Sequence, residues 1–453
     1  MAKLLAKAAM RLRRVIRRTS LVLLCLSVGF ACQKRPEATI VKLAHIYDPM
    51  GGASGKANTD WLYGVVADFE RDHPGVKVEL EQMKWDQIDT KCMADYRAKI
   101  AHDVVWSSPQ LLAKHTAVGD LLDLTPYLGW SAEEIADFSW NPVWNVGERE
   151  GKRIAVSLGA HTRVVVYRRD LFQEVGLDPD CPPKTLEELV AFARLLTRDR
   201  DGDGTVDQWG LGMYFGPSRA TIEIYFAPLV WHFGGVLWDE QSKKAVFADS
   251  AGVRAAQFLA DLVHVHKVTP TWVASGAYDD VLLGGFFQGK FAMAWGWGSY
   301  WIQALEDKGW VSGVFPPTPE AQTTVVDIFE TPTRTKAQFT NAWTVSIHTL
   351  SKNPELSAKL LHYLVRPETL LSFPDAGLPT RLSAWRRPEY QTRFYQVWFN
   401  AVQHGASMPY TAYYDELANT VAAALQEILV KHAPVAETLA RFENEYNARY
   451  AGL

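Results

Sequence analysis

Apolar and polar positions alternate with a period that changes repeatedly along the chain, and the changes predict strands followed by helices. The segment 38–47, "ATIVKLAHIY", has the character of a strand, and apolar residues recur at helical spacing over 61–71. The segment 76–83, "VKVELEQM", alternates as a strand, a second helix covers about 86–100, and "DVVW" is a short buried strand. Strands that alternate with helices predict parallel βαβ units and therefore an α/β fold.

A second α/β set begins near 153–172, "RIAVSLGAHTRVVVYRRDLF". The segment 185–197 carries a clear helix start, because Thr185 can cap the amide of Glu188 while Glu188 reaches back, as in a capping box. An aspartate-rich loop and a predicted strand over 208–215 follow this helix. A chain of 453 residues is too long for one ordinary core, so we expect two lobes.

The N-terminus has the organisation of an export signal. A basic stretch without acidic residues precedes the apolar run "LVLLCLSVGFA", which is shorter than the ~20 residues needed to cross a bilayer. We therefore predict a signal peptide over 1–31 and a linker over 32–38. "VGFAC" resembles a lipoprotein cleavage site, although Gly29 stands where that motif prefers Leu. Lipidation of Cys32 is the prediction, with ordinary cleavage nearby as the alternative, and it would hold the exported protein at the membrane on its periplasmic or extracellular face.

Composition and charge narrow the class of ligand. Removal of residues 1–31 takes away seven basic residues and leaves 40 basic against 51 acidic ones. An acidic surface of this kind disfavours nucleic acid, whose binding depends on Lys and Arg contacts to phosphates. The chain also contains 17 Trp, 17 Tyr and 20 Phe, which suggests a ligand that presents flat or apolar faces.

Two cysteines, Cys92 and Cys181, lie beyond the signal and its end. In an oxidising compartment two such cysteines can form a disulfide, but the spacing in the sequence does not give their separation. Two separate thiols, mostly buried, are the leading interpretation, and the disulfide is the alternative.

The loop "RDRDGDGTVDQWG" has the spacing of an EF-type calcium loop. Asp199, Asp201, Asp203, Thr205 and Asp207 occupy positions 1, 3, 5, 7 and 9, and Gly204 stands at position 6, where the chain turns sharply. Position 12, which usually holds a bidentate Glu, is Gly210. We predict a structural calcium ion whose shell is completed by a distant carboxylate or by water. A solvated acidic turn held by Asx hydrogen bonds is the alternative.

The order of these segments resembles the extracellular solute-binding proteins of ABC importers, family 1, which include maltose-binding and glycerol-phosphate-binding proteins. The resemblance covers about 39–450 and is most specific in "GKRIAVSLGAHTRVVVYRRDLFQEVGLDPDCPPKTLEEL". "DFERDHPGVKVEL", "AHDVVWSSPQ", "FFQGKFAMAWGWGSYW", "SKNPELSAKLLHYLVRPE" and "LPTRLSA" also match stretches of that family, and the aspartate loop recurs in relatives. His102 departs from the family, which usually has Pro before "DVV", and so does Ala342–Trp343.

The resemblance implies a type II periplasmic-binding-protein-like fold with two α/β lobes that close on a solute. The lobes are discontinuous in sequence: lobe one is expected over 39–159 and 335–384, and lobe two over 160–334 and 385–453. Closure about the hinge would present the loaded protein to a transporter.

A sugar offers an apolar ring face and a rim of hydroxyls, so aromatic rings and polar side chains are its expected partners. In α/β lobes, ligands meet the loops at the carboxyl ends of strands. That rule and the family's hinge position select Asp48, Trp106, Ser107, His161, Tyr214, Trp231, Trp295, Trp297, Ser299, Tyr300, Trp343 and Arg381. A role in the core is the alternative for each of them. We interpret 295–301 as a glycine-rich loop, whose rings cannot all be core, so at least one is expected to contact the ligand.

The leading interpretation is a binding component of an ABC importer that delivers a mono- or oligosaccharide or a polyol to the permease. Within the same fold, an anionic glycerol phosphodiester is the alternative, with Arg163, Arg219 and Arg381 as candidate partners. A secreted carbohydrate-active hydrolase is a further alternative. It would need two carboxylates facing each other across the scissile bond, and the sequence singles out no such pair.

Overall fold

The computed structural model describes residues 38–50, 55–333, 338–373 and 378–452. The predicted signal peptide 1–31, Cys32 and the linker up to residue 37 lie outside the described residues. Within the described residues, no helix is both long enough and apolar enough to cross a membrane.

The strands of the structure fall into two main sheets and three short two-stranded ribbons. They are β1 (Thr39–His45), β2 (Val76–Gln82), β3 (Val104–Ser107), β4 (Glu148–Arg149), β5 (Lys152–Arg153), β6 (Val156–His161), β7 (Arg163–Arg168), β8 (Trp209–Gly212), β9 (Trp238–Asp239), β10 (Lys244–Ala245), β11 (Phe291–Gly298), β12 (Val311–Val314), β13 (Pro317–Thr323), β14 (Val326–Phe329) and β15 (Asn341–Ile347).

Helices connect many of the strands, and several of them pack on the two main sheets. They are α1 (Gly55–Asp72), α2 (Ile88–Arg97), α3 (Leu112–Val118), α4 (Thr125–Leu128), α5 (Ala132–Phe138), α6 (Val143–Val146), α7 (Arg169–Glu174), α8 (Leu186–Leu196), α9 (Arg219–Thr221), α10 (Ala227–His232), α11 (Ser250–His264), α12 (Gly285–Phe287), α13 (Ile302–Asp307), α14 (Pro354–Val365), α15 (Pro367–Leu371), α16 (Leu382–Trp385), α17 (Arg393–Gln403), α18 (Tyr414–Lys431) and α19 (Val435–Tyr450). Shorter 3₁₀ and π turns lie between some of them.

The sheet of lobe one has the order β2-β1-β3-β15-β6. Strand β1 pairs in parallel with β2 and β3, as the alternation of strands and helices predicts. Strand β15 comes from a distant part of the chain and lies antiparallel between β3 and β6. Lobe one is therefore built from two separate stretches of sequence.

The sheet of lobe two has the order β14-β7-β11-β8. Strand β11 runs parallel to β8 and antiparallel to β7, and β14 is antiparallel to β7. The two sheets have separate buried cores, and the C-terminal helices α17, α18 and α19 contribute to the core of lobe two. The two-lobed α/β expectation is confirmed.

Three crossings of the chain join the lobes, and hydrogen bonds tie them together. The first is Thr162, which lies between β6 and β7, so the predicted boundary between residues 159 and 160 falls inside β6. The Thr340 hydroxyl, just before β15, donates to the Thr162 hydroxyl at 3.1 Å. In the third crossing the Leu378 carbonyl accepts the Ala160 amide at 2.9 Å, and the Thr380 hydroxyl donates to the Leu158 carbonyl at 3.0 Å. The hinge is therefore one connected unit.

The predicted cap of α8 is present. The Thr185 hydroxyl accepts the Glu188 amide at 3.1 Å, but the Glu188 carboxylate accepts the Lys184 amide instead of returning to Thr185. Helix α8 packs on β8 so closely that a Cβ on Gly210 would lie 1.9 Å from the Ala193 carbonyl oxygen. Position 12 of the aspartate loop is thus a buried strand residue at which no side chain fits.

The positions of Cys92 and Cys181 decide between a disulfide and two separate thiols. Cys92 is buried in α2 of lobe one, whereas Cys181 is exposed in lobe two, and both are free thiols. The disulfide alternative is therefore wrong for this structure.

Candidate functional site

The facing ends of the two sheets meet beside the first crossing. Strand β6 ends at His161, β7 begins at Arg163, and β11 ends beside Ser299 and Tyr300. The rings of His161 and Tyr300 lie 6.2 Å apart, and the Arg163 guanidinium lies 5.1 Å from the centre of the Tyr300 ring. The hinge therefore places a histidine, an arginine and a tyrosine side by side between the lobes. We call His161, Arg163, Ser299 and Tyr300 the hinge group.

Aromatic residues of lobe two lie next to this group. We call Tyr214, Tyr225, Tyr278 and Trp301 the aromatic wall. Tyr278 stacks on Trp301, with ring centres 5.2 Å apart and planes 19° apart, and meets Tyr214 edge to face at 5.3 Å. The Tyr278 hydroxyl donates to the carbonyl of Gly296, a residue of β11. The Tyr225 hydroxyl donates to the Trp295 carbonyl at 2.9 Å and accepts the Tyr214 amide at 3.0 Å. Hydrogen bonds to the β11 backbone thus hold the tyrosines of the wall in place.

Two π-helical turns frame the wall. One covers Ile222–Phe226 and the other Asp280–Gly284, directly after Tyr278 and Asp279. A π turn contains an extra residue, which redirects side chains, and such turns are frequent at functional sites. The first one presents Glu223 to the space between the lobes and Tyr225 to β11.

The hinge group has an electrostatic character that suits a polar guest. Burial lowers the pKa of His161 to about 3, and the nearby positive charge of Arg163 acts in the same direction, so the imidazole is neutral at pH 7. The Nε atom of Arg163 is buried with no hydrogen-bond partner within the described part of the chain. The Ser299 hydroxyl is also buried and has no hydrogen-bond partner among the described residues. Buried polar groups are normally hydrogen-bonded, so these two groups are available to form hydrogen bonds with a guest.

Glu223 connects the two lobes. Its carboxylate accepts a hydrogen bond from the Gln110 amide of lobe one at 3.2 Å and another from the Tyr414 hydroxyl at 2.6 Å. All three side chains are buried. Burial raises the pKa of Glu223, and the neighbouring Arg219 charge and the Tyr414 hydrogen bond oppose that rise.

More contacts between the lobes follow along the same part of lobe one. The Tyr410 hydroxyl lies 2.6 Å from the Thr116 hydroxyl and donates to the Leu112 carbonyl at 3.3 Å. Lys114 lies 3.9 Å from Asp415. We call this set the inter-lobe seam: Gln110, Leu112, Lys114 and Thr116 of lobe one against Glu223, Tyr410, Tyr414 and Asp415 of lobe two. Next to the seam, Arg219 lies 3.8 Å from Asp415 and its guanidinium 5.3 Å from the Trp85 ring.

The structure corrects the interpretation of 295–301 as a loop. Strand β11 continues to Gly298, and a bulge at Gly296, whose φ is 105°, lets it do so. Trp295 and Trp297 are fully buried, and Trp297 meets Phe286 and Phe287 edge to face at 5.2 and 5.9 Å. Both indoles belong to the core of lobe two. The next residues, Ser299 and Tyr300, are the ones that reach the hinge group.

Arg381 is also placed differently from the expectation. Its Nε donates to the Val365 carbonyl at 2.8 Å, its Nη1 lies 3.3 Å from Asp137, and its guanidinium lies over the Phe138 ring at 4.3 Å. Arg381 is buried and its contacts are inside lobe one. It therefore stabilises that lobe and does not face the solute space.

The remaining predicted contacts lie outside the hinge group. Trp106 and Ser107 are buried in sheet one, where the indole donates to the Tyr47 hydroxyl at 3.4 Å and Ser107 bonds to Thr344 at 2.9 Å. Asp48 is exposed and its carboxylate accepts the Met50 amide. Trp231 and Trp343 are half-buried against the cores of lobes two and one, respectively. His161, Tyr214, Ser299 and Tyr300 remain the predicted ligand contacts that the fold brings together.

The aspartate loop gathers part of the predicted ligand set. Carboxylate oxygens of Asp199, Asp201 and Asp207 lie within 4.8 Å of one another, and all three residues are exposed. Asp203 is outside this group, and its carboxylate accepts the Thr205 amide at 2.7 Å. Hydrogen bonds from the Gly204 and Gly202 amides lower the pKa of Asp199. Three convergent carboxylates are the donor set that a hard cation such as calcium prefers.

Several residues of the site have no signal in the sequence. Gln110 and Glu223 are an isolated amide and an isolated acid in apolar surroundings, and Tyr278 stands two residues after Gly276 in an irregular stretch. The displaced side chains of a π turn do not follow helical periodicity, so the pattern around Glu223 indicates only a buried helix. Arg163 is identified by its place at the crossing.

Two lobes joined by three crossings, with a polar and aromatic cleft at the hinge, define a solute-binding class of fold. The chain matches the family of bacterial extracellular solute-binding proteins over residues 53–370, and it belongs to that family. A binding protein of Brucella abortus (strain 2308) and another of Brucella suis biovar 1 (strain 1330) are each 23% identical over 225 residues, half of this chain. The chain spans about half the length of these curated relatives.

Solved structures share the fold across nearly the whole described chain. An ABC transporter solute-binding protein of Thermotoga lettingae bound with α-D-tagatose has a TM-score of 0.74 at 21% identity, covering 91% of this chain and 99% of that one. MalE3 of T. maritima with maltose has a TM-score of 0.71 at 20% identity, with 91% and 100% coverage. The GacH receptor of Streptomyces glaucescens, solved unliganded and with acarbose, has a TM-score of 0.72 at 20% identity, with 91% and 98% coverage.

Proposed function

We propose that this protein captures a carbohydrate between its lobes and delivers it to the permease of an ABC importer, without chemistry of its own. The observation that carries the proposal is the hinge group with the aromatic wall, in which the rings of Tyr300, Tyr278 and Trp301 contact one another and Tyr300 lies beside Arg163. Among the described residues, the Arg163 Nε and the Ser299 hydroxyl have no hydrogen-bond partner. Aromatic rings can cover the apolar face of a sugar, and the polar atoms can bond its hydroxyls. The saccharides bound by relatives of the same fold support this assignment.

The charges near the cleft favour a neutral guest over a glycerol phosphodiester. Of the three candidate arginines, Arg219 lies 3.8 Å from Asp415 and Arg381 lies 3.3 Å from Asp137. Only Arg163 remains to meet an anion, and it shares its surroundings with the carboxylates of Glu223 and Asp279. A phosphodiester would meet those negative charges as well as the arginine.

A hydrolase would use Glu223 differently. A glycosidase needs one carboxyl group to protonate the leaving oxygen and a second to attack or to activate water. Here Glu223 accepts hydrogen bonds from both Gln110 and Tyr414 and serves as a contact between the lobes. The arrangement therefore supports holding a solute.

The test is a thermal-shift screen with monosaccharides, polyols, glycerol phosphodiesters and two homologous series, maltose to maltopentaose and xylobiose to xylopentaose. A guest at 100 times its Kd adds about 2.7 kcal/mol to the free energy of unfolding, which raises Tm by several degrees. Tyr300→Ala should weaken binding about tenfold or more, because it removes most of the apolar face of one ring, roughly 1.5–3 kcal/mol.

Tyr63→Ala is the matched control, since Tyr63 is 55% exposed on α1 of lobe one. It should bind the guest as the unmodified protein does. The proposal is wrong if no saccharide or polyol shifts Tm, if only the phosphodiesters do, or if a bound saccharide is cleaved.

We also propose a structural calcium ion in the aspartate loop, held by Asp199, Asp201 and Asp207 with the Thr205 carbonyl. The convergence of three carboxylates supports it. Because Gly210 admits no side chain, the ion would need further oxygens from water or another residue. When bound, it would neutralise the repulsion among the carboxylates that join α8 to β8.

Finally, we propose export through the signal at 1–31 and acylation of Cys32, which would tether the protein to the membrane beside its permease. The basic and apolar segments of the sequence support export, and Ala31 before Cys32 supports acylation. Extracellular placement agrees with the family to which the chain belongs.

A further inference from the structure

The inter-lobe seam closes the cleft on one side. Gln110 lies in a 3₁₀ turn, Pro109–Leu111, that directly follows the carboxyl end of β3 and leads into α3. From this one stretch, Gln110, the Leu112 carbonyl, Lys114 and Thr116 all contact lobe two. These four positions, spread over about two turns, tie this stretch of lobe one to lobe two at several points.

Burial increases along a path from solvent to the hinge. At the outer edge, the side chains of Lys114 and Asp415 are each 37% exposed. Further in, Gln110 and Glu223 are each 7% exposed, and Thr162 at the crossing is fully buried. The seam therefore lies between the hinge group and solvent on this side of the molecule.

The hinge group and the seam lie close together. The Arg163 guanidinium, at the hinge, is close enough to Glu223, in the seam, for its charge to act on that carboxyl. The same guanidinium lies 5.1 Å from the Tyr300 ring, and His161 lies 6.2 Å from it. Crossing, aromatic wall and seam are thus all neighbours of one side chain.

We infer that the seam limits the length of the guest, so that the protein takes mono- and disaccharides and discriminates against longer chains. The inference rests on the proposed function. A longer saccharide would have to pass between Gln110 and Glu223 and break their hydrogen bond. The Glu223 carboxylate would then be left buried without that donor, and such a loss weakens binding by about tenfold or more.

The experiment measures Kd by isothermal titration for the guest series found in the saccharide screen, from the monosaccharide to the pentasaccharide. For the unmodified protein, we expect Kd to rise about tenfold or more between the disaccharide and the trisaccharide. In Gln110→Ala, that rise should shrink to less than about threefold, because the disaccharide loses the seam hydrogen bond that closure provides, whereas the trisaccharide already binds without it. Small-angle scattering should show full compaction with the disaccharide and a more open protein with the pentasaccharide.

Gln257→Ala is the matched control, because Gln257 also donates to a carboxylate, that of Asp261 at 2.8 Å, but on the exposed surface of α11. It should keep the length dependence of the unmodified protein. The inference is overturned if affinity is constant or increases from disaccharide to pentasaccharide. It is equally overturned if Gln110→Ala weakens disaccharide binding as much as pentasaccharide binding, since Gln110 would then hold the guest itself. Either result leaves carbohydrate binding intact, whereas failure of the proposed function would already appear as no saccharide binding in the screen.

Discussion

A buried histidine of lobe one, His115, should make the stability of that lobe fall as pH rises above neutrality. His115 is fully buried between two carboxylates: its Nδ1 lies 2.8 Å from Asp120 and its Nε2 3.1 Å from Asp89. Asp89 also accepts the Ser108 amide at 3.1 Å and the Ser108 hydroxyl at 3.0 Å. This network therefore supports the turn that carries Gln110.

The sign of the effect follows from the pKa of His115. Burial alone would lower that pKa, but the hydrogen bonds to Asp120 and Asp89 and their negative charges outweigh it and raise the pKa to about 9. A raised pKa means that the folded state binds the proton more tightly than the unfolded state, whose histidine has a pKa near 6.5. The stabilisation is complete below pH 6.5 and is lost as pH rises through about 9. It amounts to roughly 3 kcal/mol.

Two other buried histidines, His348 and His45, affect the stability of lobe one in a different pH range. Burial lowers the pKa of His348, which faces Asp120, to about 4, and burial also lowers that of His45 to about 4. A lowered pKa means that the folded state binds the proton less tightly, so these residues cost stability only as pH falls below 6.5. Their effect is therefore separate from that of His115.

The assay is thermal unfolding of the unmodified protein, His115→Gln and the control His73→Gln between pH 6 and pH 10. A loss of roughly 3 kcal/mol lowers the Tm of a lobe of this size by about 6–12 °C. His115→Gln should have a lower Tm at pH 6, because it leaves Asp89 and Asp120 without their cation, and it should lack the decline that the other two proteins share. Parallel pH profiles for all three proteins would refute the assignment of a charged His115.

Two further predictions concern lobe two. Trp297→Ala should lower the free energy of unfolding by about 3–5 kcal/mol because the indole is fully buried. Trp272→Ala is the control, since that residue is 40% exposed, and it should change Tm little. Equal effects of the two substitutions would contradict the core assignment of Trp297. After treatment with a chelator, calcium at 100 times its Kd should add about 2.7 kcal/mol to the free energy of unfolding. Asp201→Asn should abolish that gain, whereas Asp203→Asn should reduce it less. The absence of heat in a calcium titration would exclude the site.

Local patterns predict much of the fold because neighbouring residues determine them. Thr185 and Glu188 are three positions apart, so the start of α8 depends on backbone geometry that the sequence itself contains. The parallel strands β1 to β3 follow equally from alternation and the intervening helices. Family resemblance adds the return of 335–384 to lobe one, and this segment contains β15, whose paired residues lie at least 180 positions earlier in the chain.

The candidate site is harder to predict because it is assembled from distant segments. Arg381 looks like a cleft residue after a strand-like segment, but it pairs with Asp137 and lies over Phe138, which no spacing in the sequence connects to it. The error at Trp295 and Trp297 has another cause: a glycine is compatible with both a loop and a strand bulge, and Gly296 forms the bulge. Glu223 escapes prediction because its side chain is presented by a π turn.

The tryptophans show what the high aromatic content does outside the hinge group. The indole N–H of Trp61 donates to the Thr369 carbonyl at 3.0 Å, that of Trp140 to the Thr380 carbonyl at 2.7 Å, and that of Trp385 to the Pro379 carbonyl at 2.7 Å. Two of these three bonds hold the third crossing, and the bonds of Trp61 and Trp140 join stretches more than 200 residues apart. A large ring with one donor is well suited to this use, since it fills a core and fixes a backbone carbonyl at the same time. Because the crossings are fastened to both cores in this way, bending should be confined to the short links around Thr162 and Thr340, and each lobe should move as a rigid body when the cleft opens.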